Sequence, residues 1–441
     1  MTIAYSPPHY EARRAVVTGL GAITPVGQGK DGLWAGVLAG KSMVRRVQSF
    51  DASAYRSQIA AEIPDFDPTQ HMGTQQCRRL ERYSQFCLAA AGQAWSDSGL
   101  AGTHLEPDRV GVTVGSALGG IVMAERESAV FFQRGLRRVN PLLALSVFGG
   151  AGPCNIAIEF GFTGPTTANS NSCASGTVAV GDALRMIQRG EVEAVIAVGA
   201  EAPIAPLCYG AFSVIRAMSA RNDDPGRACR PFDRDRDGFV MGEGAGALVI
   251  ESRAHARARG ARIYAEVLGY ALTNDGHHMT APRPDGSSAA RAISLALRDA
   301  GVPADQVDHV NAHGSSTPLN DPVETTAIKA ALGPHAADVP VSGTKGLYGH
   351  PLGAAGAIEA VISVLAIERS MLPPTANLEH PAPDCDLDLV GPAGRSQSVN
   401  CVLSNSFGFG GINACVVLVR EGFASCTDRS DRAGASTASE N

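Results

Sequence analysis

One cysteine, two histidines and a lysine stand out because each sits in a Gly- or Ser-rich phrase of the kind that follows a strand. Cys173 lies in Asn169-Ser170-Asn171-Ser172-Cys173-Ala174-Ser175-Gly176, and His313 in Asn311-Ala312-His313-Gly314-Ser315-Ser316-Thr317-Pro318. Lys345 and His350 share Gly343-Thr344-Lys345-Gly346-Leu347-Tyr348-Gly349-His350-Pro351. A thiolate forms thioesters, imidazole N–H groups donate to a developing oxyanion, and an ammonium tunes the local charge. The set suits acyl transfer through a thioester. Two imidazoles exceed what hydrolysis of a thioester requires, since one base suffices there. Taken alone, a buried cysteine is usually a small hydrophobe and a loop lysine is usually solvated, so the weight falls on context.

The elements needed to position these groups can be read around them. Residues 166–172 read as a strand and a sharp turn, and Cys173 opens a helix through Arg189 with Val180, Leu184 and Ile187 on one face. A helix N-terminus favours the thiolate, and small Ala174, Ser175 and Gly176 leave room for a substrate. The layout resembles a nucleophile elbow with cysteine in place of serine. His313 and His350 are each expected at a strand end, where open α/β sheets bind ligands. The segment 94–116 (a helix, a Gly cap, then a strand into a Gly/Ser turn) is echoed by 296–315. The expected architecture is therefore α/β, with two similar halves joined near 251–262 and packed as a layered pseudo-dimer. The halves are assigned to 13–255, carrying the nucleophile, and 256–420, carrying both histidines. The first dozen residues and the tail 421–441 are polar and aperiodic; the former are expected to be loosely ordered and the tail disordered.

The bulk composition narrows the class. A chain of 441 residues exceeds one small core, and 44% apolar with 18% charged residues is ordinary for a soluble protein. A net charge of −6 gives no footprint for nucleic acid, no apolar run reaches a membrane span, and residues 1–14 lack a signal-peptide core. The ten cysteines are scattered without paired metal spacing, which suits free thiols in a reducing cytoplasm. Gly19-Leu20-Gly21 imitates a dinucleotide fingerprint, but Thr24 and Pro25 stand where the third glycine and the helix opening belong. Asp233-Arg234-Asp235-Arg236-Asp237-Gly238 imitates a calcium loop, but Gly244 occupies the required glutamate position. The reading is cytoplasmic, with no metal and no cofactor.

The phrases Asn311–Pro318, Thr344-Lys345, Gly349-His350 and Asn405-Ser406-Phe407-Gly408-Phe409-Gly410-Gly411 together resemble β-ketoacyl-acyl-carrier-protein synthases. So does Arg230-Pro231-Phe232-Asp233 running into Gly242-Glu243-Gly244-Ala245-Gly246. The resemblance extends from about Arg14 to Val419 and is strongest to the elongating, type II-like branch. It implies the thiolase fold, a five-layered αβαβα pseudo-dimer. It also implies that Cys173 carries the acyl chain, while the N–H groups of Cys173 and Phe409 form an oxyanion hole. His313 and His350 would hold the malonyl thioester carbonyl as carbon dioxide leaves, so that the carbanion attacks the acyl group. Lys345 would pair with Glu359, Asp321 and Glu324 would lie around His313, and Phe409 between Gly408 and Gly410 would be a mobile gate.

By the same resemblance the partners are an acyl carrier protein and a second subunit, as a homodimer or as a heterodimer with a related ketosynthase-fold chain. Arg78, Arg79, Arg137, Arg138 and Arg216 would meet the acidic carrier, and the acyl pocket would include Leu118 and, from the partner subunit, Leu143. The chain departs from the housekeeping pattern at 169–172, at Gly346-Leu347-Tyr348, at Pro351 and at Leu142-Leu143-Ala144. These changes leave the reacting atoms and alter the walls, which points to a specialised polyketide or unusual fatty acid pathway. Two alternatives of the same fold stand beside this reading: a non-condensing chain-length-factor-like partner, which typically lacks the nucleophile, and a malonyl decarboxylase. A thiolase would need a late Cys-x-Gly base, which Cys415-Val416-Val417 does not supply, and starter-unit synthases use an asparagine where His350 stands.

Overall fold

The computed structural model describes residues 13–423, so the expectations for residues 1–12 and for 424–441 lie outside the described residues. Residues 421–423 of the expected tail are described, with Glu421 paired to Arg257 and Phe423 packed on the core of the second half. Ten strands build the two halves. The first half has β1 (Ala15–Thr24), β2 (Val110–Gly115), β3 (Thr166–Asn169), β4 (Ala194–Glu201) and β5 (Gly244–Ser252). The second has β6 (Ala265–Asn274), β7 (His309–Asn311), β8 (Pro340–Ser342), β9 (Cys401–Gly408) and β10 (Ile412–Val419). Toward the centre of the sheet the first half runs β3-β2-β4-β5-β1 and the second β8-β7-β9-β10-β6, with a two-residue strand, Asp388–Leu389, paired parallel outside β8. Shifted by five, the two orders are the same, and so are the parallel and antiparallel pairings. This is the duplication expected from the repeated helix–strand phrases. One feature was not foreseen: β1 pairs antiparallel with β6, Ala15 opposite Val267, so the half-sheets form one continuous sheet.

Five helices make the layers, α1 (Arg82–Ser98), α2 (Ser175–Gln188), α4 (Ser287–Ala300), α5 (Asn320–Leu332) and α6 (Ala355–Arg369), while α3 (Pro206–Val214) packs on the helix Ile121–Arg134. α1 covers the outer face of the first half, and α4 with α5 that of the second. α2 and α6 pack on each other and on strands of both halves, which places them in the middle layer. Their sequences explain the position. Every residue of α6 from Ala355 through Ile367 is buried, as befits a helix with apolar residues all round. β4, buried on both faces, reads Ala-Val-Ile-Ala-Val-Gly-Ala-Glu without polar alternation until its end. Glycines bring backbones together here: a Cβ on Gly246 of β5 would lie 2.5 Å from the Ile358 nitrogen, and one on Gly176 of α2 2.6 Å from that of Ala357. The equivalent turns after β3 and β8 thus meet at the middle layer, and they carry Cys173 and the Lys345–His350 segment.

Candidate active site

β3 ends at Asn169, and the chain turns through Ser172, whose φ is +52°, into a 3-10 turn, Ser172–Ala174, before α2 begins at Ser175. Cys173 therefore lies just ahead of the helix, not in its first turn. It is 7% exposed, at the wall of a cavity of about 270 Å3. Burial pushes its thiol above the ordinary cysteine range, helped by the Glu201 carboxylate. The Ser172 hydroxyl, the Phe409 N–H and the Lys345 ammonium oppose that rise. The thiolate preference expected from the helix N-terminus is thus outweighed by desolvation.

His313 follows β7 by two residues, while His350 comes after a short helix, Lys345–Tyr348, rather than directly at a strand end. That helix is completely buried, because Leu347 and Tyr348 insert into the core and the Tyr348 hydroxyl pairs with Thr344. Both imidazoles line the cavity with Cys173, their ring centres 5.3 Å apart and nearly perpendicular at 83°. Burial, and then the Lys345 charge, holds both rings well below the ordinary histidine range, so they are neutral at neutral pH. Nδ1 of each is buried with no hydrogen-bond partner among the described residues, a ring nitrogen the protein leaves unspent.

The groups around His313 grip its backbone. Glu324 of α5 accepts the N–H groups of His313 at 2.7 Å and Gly314 at 2.8 Å, and burial pushes its carboxyl up to about 7. Lys345 Nζ donates to the His313 carbonyl at 2.5 Å and pairs with Glu359 of α6. Lys345 and Glu359 are both wholly buried, and burial pushes the Glu359 carboxyl up to about 7 against the pull of Lys345. Asp321 accepts the Phe232 N–H at 2.8 Å and faces Arg236, and burial raises its carboxyl too.

The β9–β10 turn forms the cavity's other wall. Gly408 approaches so closely that a Cβ there would lie 3.1 Å from the Cys173 nitrogen. Gly410 has a φ of +80°; its N–H donates to the Met279 carbonyl at 2.7 Å, and its carbonyl accepts from Asn274. The Phe409 ring lies nearly parallel to Phe212 of α3, centroids 6.4 Å apart. Leu118 packs in the apolar cluster around Cys173. Leu143 is half-buried on the helix Leu143–Ser146 and does not line the cavity within one chain. Of the five arginines, Arg216 lines the cavity, while Arg78 and Arg79 lie exposed at the end of the helix Thr74–Arg79 and Arg137 and Arg138 on the 3-10 turn Leu136–Arg138. Sequence reasoning passed over Phe239 and Leu352, which line the cavity, Phe212 and Met218, which pack in the apolar cluster with Cys173, and Met279 and Asn274, which hold the glycine turn. Phe239 and Leu352 adjoin recognised phrases, whereas Phe212 and Met218 had no neighbouring signal. The calcium-like loop serves structure: Asp233 pairs with Arg230 and accepts the N–H groups of Asp235, Glu379 and His380.

Comparison with known proteins places this geometry. The family models for the β-ketoacyl synthase N-terminal and C-terminal domains match residues 12–256 and 264–379. A 3-oxoacyl-[acyl-carrier-protein] synthase 2 of Synechocystis sp. is 46% identical over 403 residues, 91% of this chain and 97% of that protein. That of Coxiella burnetii is 43% identical over 93% of this chain and 99% of its own length. Among solved structures, a type II polyketide ketosynthase in complex with its acyl-carrier protein superposes with a TM-score of 0.86 at 34% identity, covering 93% of this chain and all of that one. The ishigamide ketosynthase/chain length factor gives 0.85 at 37%, with the same coverage. With two neutral histidines and a cysteine on one cavity and both halves matched, the chain belongs to the β-ketoacyl synthase family, with the thiolase fold.

Proposed function

We propose that this condensing enzyme works through Cys173 as nucleophile and through His313 and His350 as the pair that stabilises the malonyl-derived enolate. The observation that carries the reading is the meeting of all three side chains on one cavity. In the first step the Cys173 sulfur attacks the acyl thioester; the new C–S bond forms, and the carrier's sulfur leaves and takes up the thiol proton. The N–H groups of Cys173 and Phe409 serve the tetrahedral oxyanion, consistent with the close approach of Gly408. In the second step the malonyl thioester loses carbon dioxide, and the electron pair of the broken C–C bond passes into the thioester carbonyl. Neutral imidazoles donate to that oxygen without a charge that would have to be buried. The enolate carbon then attacks the Cys173 acyl carbonyl, the C–C bond forms, and the thiolate leaves. Lys345 with Glu359, and Glu324 with Asp321, position the His313 loop, and the glycine turn lets Phe409 move.

The partner reading is an acyl carrier protein met by Arg216 at the cavity and by Arg78, Arg79, Arg137 and Arg138 around it. A second ketosynthase-fold subunit, identical or related, contributes Leu143 to the acyl pocket, and the enzyme works in the cytoplasm. Among the described residues no helix is long and apolar enough to cross a membrane. The altered walls at 169–172 and 142–144 favour a specialised chain over ordinary saturated ones. Intact-mass measurement after incubation with carrier-bound acyl chains tests the nucleophile. Acyl adducts on the wild type and none on Cys173→Ala are expected; wild-type protein that no chain acylates would overturn the reading. Full rescue of a strain lacking its elongating synthase, with ordinary saturated products, would sink the specialised assignment.

A further inference from the structure

The residue before the nucleophile is a serine held in a left-handed conformation, with φ at +52°. Non-glycine residues seldom adopt that region, and here it is set by contacts on both sides. The Ser172 carbonyl accepts the Ser175 hydroxyl at 2.7 Å, closing the 3-10 turn, and the Ser172 Cβ lies against Gly408. The result of this geometry is a hydroxyl that donates toward the Cys173 sulfur, with Oγ and Sγ 3.8 Å apart. That separation suits an O–H···S contact, because sulfur is a large acceptor whose bonds are longer than those to oxygen. The approach is itself braced: Ser170 donates to the Ala117 carbonyl at 2.9 Å, Asn169 to the Ser175 carbonyl at 3.2 Å, and Asn171 to Asn169 at 3.1 Å.

We propose that Ser172 is a positioning residue for the nucleophile, its hydroxyl orienting Cys173 Sγ and stabilising the thiolate against the desolvation of the cavity. The proposal rests on the reading of Cys173 as the acylated residue. The sulfur faces few compensating groups. From the β9–β10 turn comes the Phe409 N–H, from the short helix after β8 the Lys345 ammonium, and from the end of β4 the Glu201 carboxylate, which works against the thiolate. His313 and His350 share its cavity but are neutral, so they add no counter-charge at neutral pH. Lys345 is also engaged by Glu359 and by the His313 carbonyl. A hydroxyl in contact is then a substantial share of what holds negative charge on the sulfur, and its removal shifts the ionisation upward.

The test is the pH dependence of iodoacetamide alkylation at Cys173, read by peptide mass, in the wild type, Ser172→Ala and Ser172→Gly. Both variants lack the hydroxyl, but glycine accepts a φ of +52° without strain and alanine does not. The alkylation midpoint is expected to rise by about one pH unit in both, roughly a tenfold slower reaction at fixed neutral pH. An unchanged midpoint in both would refute the role of Ser172. A rise in alanine alone would also refute it, because that pattern belongs to backbone strain, and the glycine variant keeps the test alive if alanine fails to fold. Alkylation reports the hydrogen bond whether or not acyl thioesters react. Loss of acylation in the wild type would instead strike the nucleophile reading.

Discussion

Lys345 and Glu359 face each other with no exposed surface, between α6 and the carbonyl of His313. Removing one partner leaves the other charge stranded in the core, a loss of about 3–5 kcal/mol. Glu359→Gln should therefore lower the denaturant midpoint sharply without touching the substrate cavity. Replacing both, as Lys345→Met with Glu359→Leu, should recover much of that stability, because no charge remains to be paired. It should not recover condensation, because the His313 carbonyl loses its donor and the imidazole its fixed place. Recovery of both activity and stability in the double variant would show that the pair is structural only. At the same scale, the raised thiol of Cys173 has a sign that can be measured. Below its pKa the thiolate fraction grows about tenfold per pH unit. Since burial sets that pKa above the ordinary value of 9.0, acylation of Cys173 should climb from neutral pH through 9 without levelling off. A plateau near neutrality, seen in single-turnover acylation, would mean that the groups opposing desolvation prevail.

At the level of elements, two glycines separate packing from motion. Gly246 lies where β5 meets α6, and an added Cβ would strike the backbone of both Ile358 and Ala357 inside 2.7 Å. Neither strand nor helix can yield alone, so Gly246→Ala should cost about 3 kcal/mol, at the upper end for overpacking, and lower the melting temperature accordingly. Gly410 is the opposite case. A Cβ there meets nothing nearer than 3.9 Å, and the cost is only that of a left-handed φ, about 1 kcal/mol. Gly410→Ala should fold normally yet disfavour the arrangement that points the Phe409 N–H at Cys173, slowing acylation about fivefold. Equal stability loss in the two variants would contradict this division. The contrast also marks what could be read without coordinates. The side chains proposed to react could be picked out because the turns that hold them need Gly, Ser and Asn at particular places, as in 169–176 and 311–318. The repeated halves were legible through their helix caps and strand turns. The seam between β1 and β6 was not, because a three-pair contact between strands far apart in sequence leaves no periodicity of its own. The helix ahead of His350 was hidden for a related reason: Leu347 and Tyr348 are core residues, and a four-residue helix is decided by its tertiary surroundings. Phe212 reads as an ordinary apolar residue of α3 until Phe409 is placed beside it. The direction of the Cys173 ionisation depends on burial, which no local phrase encodes.

On the scale of the whole molecule, one side of the first half looks unfinished. Among the described residues β3 is paired on one edge only, with β2, and its residues Thr166, Thr167 and Ala168 are exposed. Open sheet edges of this kind attract further strands. The helix Ala151–Phe160, which packs on β3, presents Ile158, and the helices Ile121–Arg134 and α3 present Phe132, Leu207 and Val214 elsewhere on the surface, each at least 72% exposed. Large exposed apolar side chains together with an open edge mark a protein interface rather than a solvated face. Leu143 is half-buried, and a subunit seated at this edge would turn it toward a neighbouring active site. A second ketosynthase-fold chain related by a two-fold axis meets these needs together, since its own β3 extends the sheet and its own apolar residues cover these. The expected state is a two-chain assembly, either of this chain alone or with a related subunit supplied by co-expression, measured by analytical ultracentrifugation. Ile158→Asp would place an unpaired carboxylate in that contact, and the assembly should dissociate while circular dichroism stays unchanged. Acylation of Cys173 by long chains should fall with it if the pocket takes the wall proposed for Leu143 of the second subunit. Ile158→Asp protein that still sediments as two chains would show that the partner sits elsewhere, and the open edge of β3 would then need another occupant.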